Sequence, residues 1–202
     1  MVGKIDSINL SLPPYFESYL MKHYIVEDVK TMSVFNPKRW FKAFKKKLTR
    51  NVNEAKILHT STGLEIPLKR FSRTQNRQVI EFAGLQGYDD KATFLNDVLV
   101  ELLPHLMDSK LQRVDICIDM EKIPNKVLKS LLIGRYIKQV GNTTYYKTAK
   151  EKKTNNLFDI KIYDKSKEAK LNYQLYRLEF CFKSQYLKNA TLKDISKIFK
   201  RM

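Results

Sequence analysis

The sequence predicts an α+β protein in which helices flank one central, largely antiparallel sheet. Short segments with period-two alternation of apolar and polar residues recur along the chain, and helical segments are interspersed among them without the strict alternation of a parallel α/β fold. No internal repeat and no Gly/Ser/Pro-rich linker divides the 202 residues. A chain of this length can bury a substantial core, so we expect a single domain over residues 1–202.

The N-terminal half begins with a predicted strand over residues 5–12, whose apolar and polar residues alternate until Pro13 and Pro14 end it. A helix is predicted over residues 14–23 and a strand over residues 24–34. Asn36 and Pro37 form a cap and first-turn pair, which predicts a helix running to about residue 50. Three further strands are predicted, at 55–60, 64–71 and 78–83.

The C-terminal half opens with the clearest helix of the sequence, which begins after Asp89 and Asp90 and should be bent near its end by Pro104. Its apolar residues have the spacing of a core-facing stripe: Leu95, Val98, Leu99, Leu102, Leu103 and Leu106. The remaining predicted elements are a strand at 112–120, a helix opening at Pro124, strands at 143–148, 157–164 and 173–183, and a last helix from Thr191.

The charge balance points to an anionic partner. The chain has 38 Lys and Arg against 21 Asp and Glu, a net charge of +17, and its hydrophobic content of 43% excludes a disordered basic tail. Nucleic acid is the leading partner for such a folded, basic protein. No apolar run approaches the roughly 18 residues of a membrane span, so we expect a cytoplasmic protein without a membrane partner.

Several common sites are excluded by residue spacing. Two cysteines without a CxxC or HxxxH pattern cannot form a zinc site on their own, and the three histidines stand singly. The phosphate-binding pattern GxxxxGKS/T of ATPases and helicases is absent as well.

Functional side chains concentrate on the polar faces of three predicted strands. Period-two alternation places Asp115, Cys117 and Asp119 on one face of the 112–120 strand. The two carboxylates would lie roughly 13 Å apart at a 3.3 Å rise. We therefore expect one to bind an ion directly and the other to act through water or a neighbouring strand.

The two later strands carry the complementary groups. Asp159, Lys161, Tyr163 and Lys165 project from one strand, and the next strand presents its own polar set: Arg177, Glu179 and Cys181. Each residue alone has a plain structural explanation, as a surface acid, a half-buried aromatic or a cross-strand ion pair. The combination of acids and a tyrosine on strands that can lie side by side favours a reactive site.

Four segments carry a resemblance to a known family: RVDICID (113–119), TTYYK (143–147), IKIYDKSKE (160–168) and YRLEF (176–180). Together they resemble the Rep_trans group of rolling-circle replication initiators and the related nicking relaxases of integrative elements. KIDSINLSLP (4–13) and VIEFAGL (79–85) are similar to the early strands of that group. Filamentous-phage replication initiators share a comparable pattern. The resemblance is specific only over about residues 111–183, and it implies a replication-initiator nuclease-like fold.

The resemblance implies a site-specific, single-strand DNA endonuclease that nicks and later rejoins one strand. In that family a tyrosine attacks the phosphate, which gives a 5′-phosphotyrosine and a free 3′-hydroxyl. Tyr163 matches this nucleophile, with Tyr145 and Tyr146 as alternates. The matching ligands for Mg²⁺ or Mn²⁺ are Asp115 and Glu179, with Asp119 as a weaker third.

Physical chemistry adds roles for the neighbouring cations. A tyrosine with a reference pKa of about 10 needs activation, which Lys161, Lys165 or the metal can supply through nearby positive charge. Arg177 can clamp a phosphate oxygen or orient Glu179. Further cations are expected to grip DNA phosphates: Lys38, Arg39, Lys42, Lys45, Lys46, Arg70, Arg73, Lys147 and Lys161.

The resemblance also implies binding partners, and other functions are compatible with the same residues. The expected substrate is single-stranded or hairpin origin DNA, with a host helicase and a second copy of the chain as further candidate partners. Residues 149–156 should form a mobile loop that closes over DNA, and the chain is short for such initiators, so a C-terminal accessory region is expected to be missing. A conjugative relaxase, a non-catalytic DNA- or RNA-binding module and a structural or regulatory protein of a mobile element remain open.

Overall fold

The computed structural model describes residues 3–71, 77–133, 135–148 and 158–199. Ten strands in these residues form one sheet in which every neighbouring pair is antiparallel. They are β1 (Lys4–Ser11), β2 (Ile25–Lys30), β3 (Val52–His59), β4 (Glu65–Phe71), β5 (Gln78–Ala83), β6 (Lys110–Met120), β7 (Arg135–Val140), β8 (Thr143–Thr148), β9 (Phe158–Asp164) and β10 (Tyr176–Lys183). The order across the sheet is β2-β3-β4-β5-β1-β6-β10-β9-β8-β7.

Seven helices accompany the sheet in the described residues: α1 (Pro14–His23), α2 (Pro37–Phe44), α3 (Asp90–Leu106), α4 (Asn125–Leu132), α5 (Lys165–Ala169), α6 (Ser184–Leu187) and α7 (Ile195–Phe199). The predicted α+β class with a largely antiparallel sheet is confirmed. None of the described helices combines the length and the apolar character that crossing a membrane requires.

The main core covers one face of the sheet. The inward residues of β1 and β6, such as Ile8, Leu10 and Ile116, pack in one cluster with the stripe of α3 that includes Leu102 and Leu106. Each of these side chains is at most 1% exposed, and burial of one such aliphatic side chain stabilises the fold by roughly 1.5–3 kcal/mol. Because the strands alternate, this packing leaves their polar residues on the opposite face.

Helix α2 lies on that opposite face, at the β2–β4 end of the sheet. Trp40 is buried there against Ala55 and Ile57 of β3. Lys69 of β4 joins the helix to the polar face, because its Nζ lies 5.4 Å from the Trp40 ring centroid and donates to Glu81 of β5 at 2.6 Å. Helix α2 therefore covers the β2–β4 end of the polar face and leaves the polar residues of the central strands uncovered by this helix.

The prediction that this helix reaches residue 50 is wrong. Helix α2 ends at Phe44, and Lys45 adopts a left-handed conformation with φ 52°. Continuing the helix would stack Lys42, Lys45 and Lys46 on adjacent turns, where like charges repel. Ending it allows Lys46 to pair with Glu81 at 3.2 Å.

Strand β7 and the short helices α5 and α6 were not predicted. Strand β7 pairs with β8 through a hairpin whose two turn residues are Gly141 and Asn142. Gly141 has φ +56°, a conformation that glycine adopts at little cost and that suits a two-residue hairpin turn. Helix α5 begins at a cap, where Asp164 accepts a hydrogen bond from the Lys167 backbone N–H.

Candidate active site

The register of the central strands brings the functional residues of the polar face together. Tyr163 of β9 lies opposite Arg177 of β10, and Lys161 lies opposite Glu179. Strand β10 then pairs with β6, which places Cys181 opposite Asp115. Residues that are 14 or more positions apart in the chain thus become direct cross-strand neighbours, at the short distances that such pairs share.

A cluster of three potential metal ligands lies at the centre of this face. Asp115, Glu179 and Cys181 each offer one possible ligand atom, and these three atoms lie within 4.8 Å of one another. All three residues are buried, with Asp115 at 2% and Glu179 at 3% exposure. Asp115 and Glu179 are two of the three metal ligands implied by the resemblance.

Each carboxylate of the cluster already has a cationic partner. Arg113 donates to both oxygens of Asp115 at 2.7 and 2.6 Å, and Lys161 donates to Oε1 of Glu179. Burial and the charge of Glu179 raise the pKa of Asp115 even though Arg113 opposes the shift. Burial would also raise the pKa of Glu179, but the Lys161 ammonium outweighs it and lowers that pKa. Of the two carboxyl groups, Asp115 therefore ionises less readily than Glu179.

The donor set fits a hard divalent cation through its oxygens. Mg²⁺ and Mn²⁺ prefer carboxylate ligands and complete their coordination with water or phosphate oxygens. A cation bound between Asp115 and Glu179 would stabilise the ionised form of both carboxyl groups. Cys181 is less suited to Mg²⁺, since burial raises the pKa of its thiol, and it donates instead to Oε1 of Glu179 at 3.3 Å.

Tyr163 is joined to the cluster through Glu179. Its hydroxyl donates to Oε2 of Glu179 at 3.2 Å. Burial and then the negative charge of Glu179 raise the pKa of Tyr163 above its ordinary value. The Lys165 ammonium lies 6.0 Å from the centroid of the Tyr163 ring, while its hydrogen bond goes to Glu168 at 3.1 Å. The phenol is therefore protonated in this arrangement, with a carboxylate in place to accept its proton.

A cleft of about 310 Å³ opens over these groups. Tyr163, Lys161, Asp115 and Glu179 line it, and Lys46 reaches it from the segment after α2. A second cleft of about 400 Å³ lies on the other side of Tyr163 and is lined by Tyr145. The tyrosine thus stands between two openings, each with Lys161 in its wall.

The buried Arg177 and the half-buried Asp119 form a separate network. Arg177 is 1% exposed and donates to both oxygens of Asp119 at 2.6 and 2.7 Å. It also donates to Asp6 at 2.8 Å and to the backbone carbonyl of Gln86 at 2.8 Å. These contacts separate Asp119 from the cluster of Asp115 and Glu179, and the Arg177 guanidinium would have to give them up to reach a phosphate in the cleft.

The two alternate tyrosines lie on opposite faces of β8. Tyr145 pairs with Lys161 across the sheet and shares the polar face, with Lys147 Nζ 5.5 Å from its ring centroid. Tyr146 is 7% exposed and packs in a second apolar cluster with Ile160. Burial raises the pKa of Tyr146. The geometry therefore favours Tyr145 over Tyr146 as an alternate nucleophile.

The cations predicted to grip DNA divide into two groups. Several are paired with acids: Arg39 with Glu27 and Glu65, Lys46 with Glu81, Arg70 with Glu17 and Glu54, Lys147 with Asp159, and Lys161 with Glu179. Lys38, Lys42 and Lys45 are exposed, and no carboxylate of the described chain lies within 4.0 Å of them. Arg73 and the predicted loop at 149–156 lie outside the described residues.

Sequence reasoning missed two contributors to the site. Arg113 precedes Asp115 by two residues, so strand alternation already placed it on the same face. Asp6 lies at a β-bulge between Ile5 and Ser7, where the register of β1 against β6 shifts. A bulge redirects a side chain in a way that period-two alternation does not foresee.

Comparison with known proteins supports the fold. No family model matches the sequence, and no curated protein matches it. Among solved structures, the chain is similar to the rolling circle replication initiator protein from Geobacillus stearothermophilus, with a TM-score of 0.51. The two are 8% identical, and the match covers 98% of this chain and 78% of that one. The likeness shows a shared fold.

Proposed function

We propose that the protein is a DNA nicking-joining enzyme of the rolling-circle replication initiator type. The observation that carries this proposal is the hydrogen bond of 3.2 Å from the Tyr163 hydroxyl to Glu179, whose carboxylate lies in the cluster with Asp115. A tyrosine with an adjacent base and a candidate cation site matches the needs of phosphodiester transfer. The similar fold of a replication initiator supports the same class.

The proposed reaction follows from these contacts. The Tyr163 oxygen attacks the phosphorus of one DNA strand while Glu179 accepts the phenol proton. An oxygen–phosphorus bond forms to the tyrosine, and the bond from phosphorus to the 3′-oxygen breaks. Protonation of Glu179 removes the charge that raises the pKa of Lys161, so Lys161 becomes able to protonate the leaving 3′-oxygen. The reverse sequence rejoins the strand.

Asp115 and Glu179 would hold the divalent cation in this proposal. A bound cation supplies positive charge beside the phosphate and the tyrosine, which stabilises the developing negative charge. Lys165 adds further positive charge near the Tyr163 ring. Arg177 and Asp119 would act by holding β6, β10 and the Gln86 backbone in place.

The test is capture of a covalent protein–DNA adduct from a pool of random-sequence, single-stranded oligonucleotides with Mn²⁺ present. Label at the 3′ end should remain with the denatured protein, and label at the 5′ end should be released on a fragment that a polymerase can extend. Tyr163→Phe should abolish the adduct. Tyr173→Phe, which changes a tyrosine 52% exposed in the segment before β10, should retain it.

A non-catalytic DNA-binding module is the second candidate. It is favoured by the ion pairs of Asp115 with Arg113 and of Glu179 with Lys161, which already neutralise the cluster without a metal. In that case the same oligonucleotides would bind reversibly and no adduct would form with Mn²⁺ or Mg²⁺. Such a result would replace the nicking-joining proposal.

A further inference from the structure

A second surface suited to nucleic acid lies at the other end of the sheet. A groove of about 580 Å³ is enclosed by the end of β2, the start of α2 and the segment that follows α2. Its apolar lining comes from Phe35, Pro37, Phe41 and Leu48. An apolar groove on the surface of a strongly basic protein marks a binding site more often than a solvated face.

The two aromatic rings of the groove are exposed, and the backbone that carries them is anchored. Phe35 is 70% exposed and Phe41 is 48% exposed. The backbone of Phe35 forms a β-bridge with Lys30, and the next residue, Asn36, donates to the Val29 carbonyl at 2.8 Å. Phe41 is fixed by its position in α2, next to the buried Trp40. The backbone that carries each ring is therefore fixed, so mainly side-chain freedom is lost when a flat ligand stacks on the rings.

The rim of the groove carries positive charge that the protein does not neutralise. Lys38, Lys47 and Arg50 line it, and in the part of the chain that the structure describes no carboxylate lies within 4.0 Å of any of them. No acidic residue is among those that line the groove. The nearby cations of the polar face differ, since Lys46 and Lys69 both pair with Glu81. Unpaired cations beside exposed rings complement a chain of phosphates and bases.

The short segment that follows α2 contributes lining residues both to the groove and to the cleft of the candidate active site. Lys46 lines the cleft of Tyr163, and the groove begins at the next residue, Lys47. Strands β9 and β2 are seven strand positions apart, or about 34 Å at 4.8 Å per strand. About ten nucleotides of a stacked single strand, at 3.4 Å each, would bridge that distance.

We propose that this groove binds a second segment of single-stranded DNA, with bases stacked on Phe35 and Phe41 and phosphates held by Lys38, Lys47 and Arg50. The proposal rests on the proposed function, in that the bound strand is the substrate that enters the Tyr163 cleft. A single strand is favoured over a duplex because its base faces are free to stack. A protein ligand is disfavoured because it would have to supply several carboxylates to an apolar groove.

The experiment measures DNA binding separately from cleavage. All variants are made in the full chain carrying Tyr163→Phe, and the affinity for fluorescein-labelled oligo-dT of 6, 12 and 20 nucleotides is measured by anisotropy in EDTA. The double variant Phe35→Ala/Phe41→Ala should weaken binding of the 20-mer by about tenfold for each ring that stacks. Ile137→Ala, a matched change at an apolar residue 54% exposed on β7, should leave the affinity unchanged.

A second set of variants tests the phosphate contacts. Lys38→Ala/Lys47→Ala/Arg50→Ala should lower the slope of log affinity against log salt by about 2, since each contact to a single strand contributes about 0.7. The double variant Phe35→Ala/Phe41→Ala should not change this slope, because it removes no charge. Oligonucleotides with 5-iodo-deoxyuridine should photo-crosslink to the segment that contains Phe35 and Phe41.

Unchanged affinity in the double phenylalanine variant, or crosslinks confined to other segments, would overturn the proposal and leave the groove to a protein ligand. The absence of any binding to the 20-mer would overturn it as well. A missing covalent adduct in the wild-type chain would instead contradict the nicking-joining function, and it would not affect this binding result. The two failures are therefore distinguishable.

Discussion

Glu179 connects the functional residues of the candidate site. Its oxygens accept hydrogen bonds from Lys161, from the Tyr163 hydroxyl at 3.2 Å and from the Cys181 thiol at 3.3 Å. It also belongs to the cluster with Asp115. One carboxylate thus couples the proposed nucleophile, a cation and the candidate metal ligands, so its protonation changes the acidity of all of them.

Metal binding should depend on Asp115 and not on Asp119. We expect Asp115→Asn to weaken Mn²⁺ binding by roughly tenfold or more, because one of two hard anionic ligands is lost. Asp119→Asn should retain the affinity, since the Asp119 carboxylate is bonded to Arg177. Electron paramagnetic resonance of free Mn²⁺ measures the Mn²⁺ affinity of both variants in the absence of DNA. Loss of binding in Asp119→Asn would restore Asp119 as a direct ligand.

Arg177 should matter more for stability than any exposed arginine. Arg177→Met would leave the buried Asp6 and the half-buried Asp119 without their cation, and we expect the free energy of unfolding to fall by about 3–5 kcal/mol. Arg39→Met is the matched control, because Arg39 is partly exposed in its pair with Glu27 and should cost at most about 1 kcal/mol. Urea unfolding measures both, and equal losses would contradict the assignment.

The same network predicts the response of stability to acid. Burial opposes ionisation of Asp119, but hydrogen bonds from Arg177 and Tyr88 outweigh it and lower its pKa. Its contribution to stability is therefore present above the unfolded-state pKa of about 3.9 and is lost as the pH falls through the folded-state pKa. Urea unfolding between pH 7 and pH 2.5 should show this decline below about pH 4. Asp119→Asn should flatten it, and an unchanged decline would exclude Asp119 as a contributor.

At the scale of elements, helix α2 is attached to the sheet by one face. Trp40 is 1% exposed, and its ring centroid lies 4.5 Å from that of Phe44. We expect Trp40→Ala to lower the free energy of unfolding by about 3–5 kcal/mol. Phe41→Ala, at the exposed neighbour on the same helix, should change it by less than about 0.5 kcal/mol. A large loss in Phe41→Ala would mean that this ring serves the core and not a ligand.

Local patterns were enough to predict the elements that have one clear face. The alternation in β6, β9 and β10 predicted which side chains share the polar face, and the spacing of Leu95, Leu102 and Leu106 predicted the buried side of α3. The end of α2 could not be predicted from periodicity, because the apolar spacing of Trp40, Phe44 and Leu48 continues beyond Phe44, where the helix ends. Strand β7 had a Gly-Asn turn signal that periodicity alone overlooked.

The candidate site was predictable as a set of residues but not as a geometry. Alternation assigned Asp115, Tyr163 and Glu179 to polar faces, yet their proximity depends on the antiparallel register of β6, β10 and β9. That register is a non-local property of the sheet. The contact of Arg177 with Asp6 was not predictable either, because Asp6 lies at a β-bulge where the period-two alternation of β1 is interrupted.

For the molecule as a whole, the net charge is +17, but only some of the cations are free of a neighbouring carboxylate and so available to a ligand. Five cations around α2 have no carboxylate of the described chain within 4.0 Å: Lys38, Lys42, Lys45, Lys47 and Arg50. If each meets a phosphate, the affinity for single-stranded DNA should fall roughly 100-fold between 50 and 200 mM salt. Filter binding over this range measures it, and a salt-independent affinity would contradict a phosphate contact by these residues.

The central claim is that Tyr163 becomes covalently joined to DNA. The most direct measurement is mass spectrometry of protease-digested adduct formed by the wild-type protein on single-stranded oligonucleotides with Mn²⁺. We predict a phosphodiester between Tyr163 and the 5′ end of a DNA fragment. A phosphodiester on Tyr145, or no adduct on any tyrosine of the intact protein, would contradict the account.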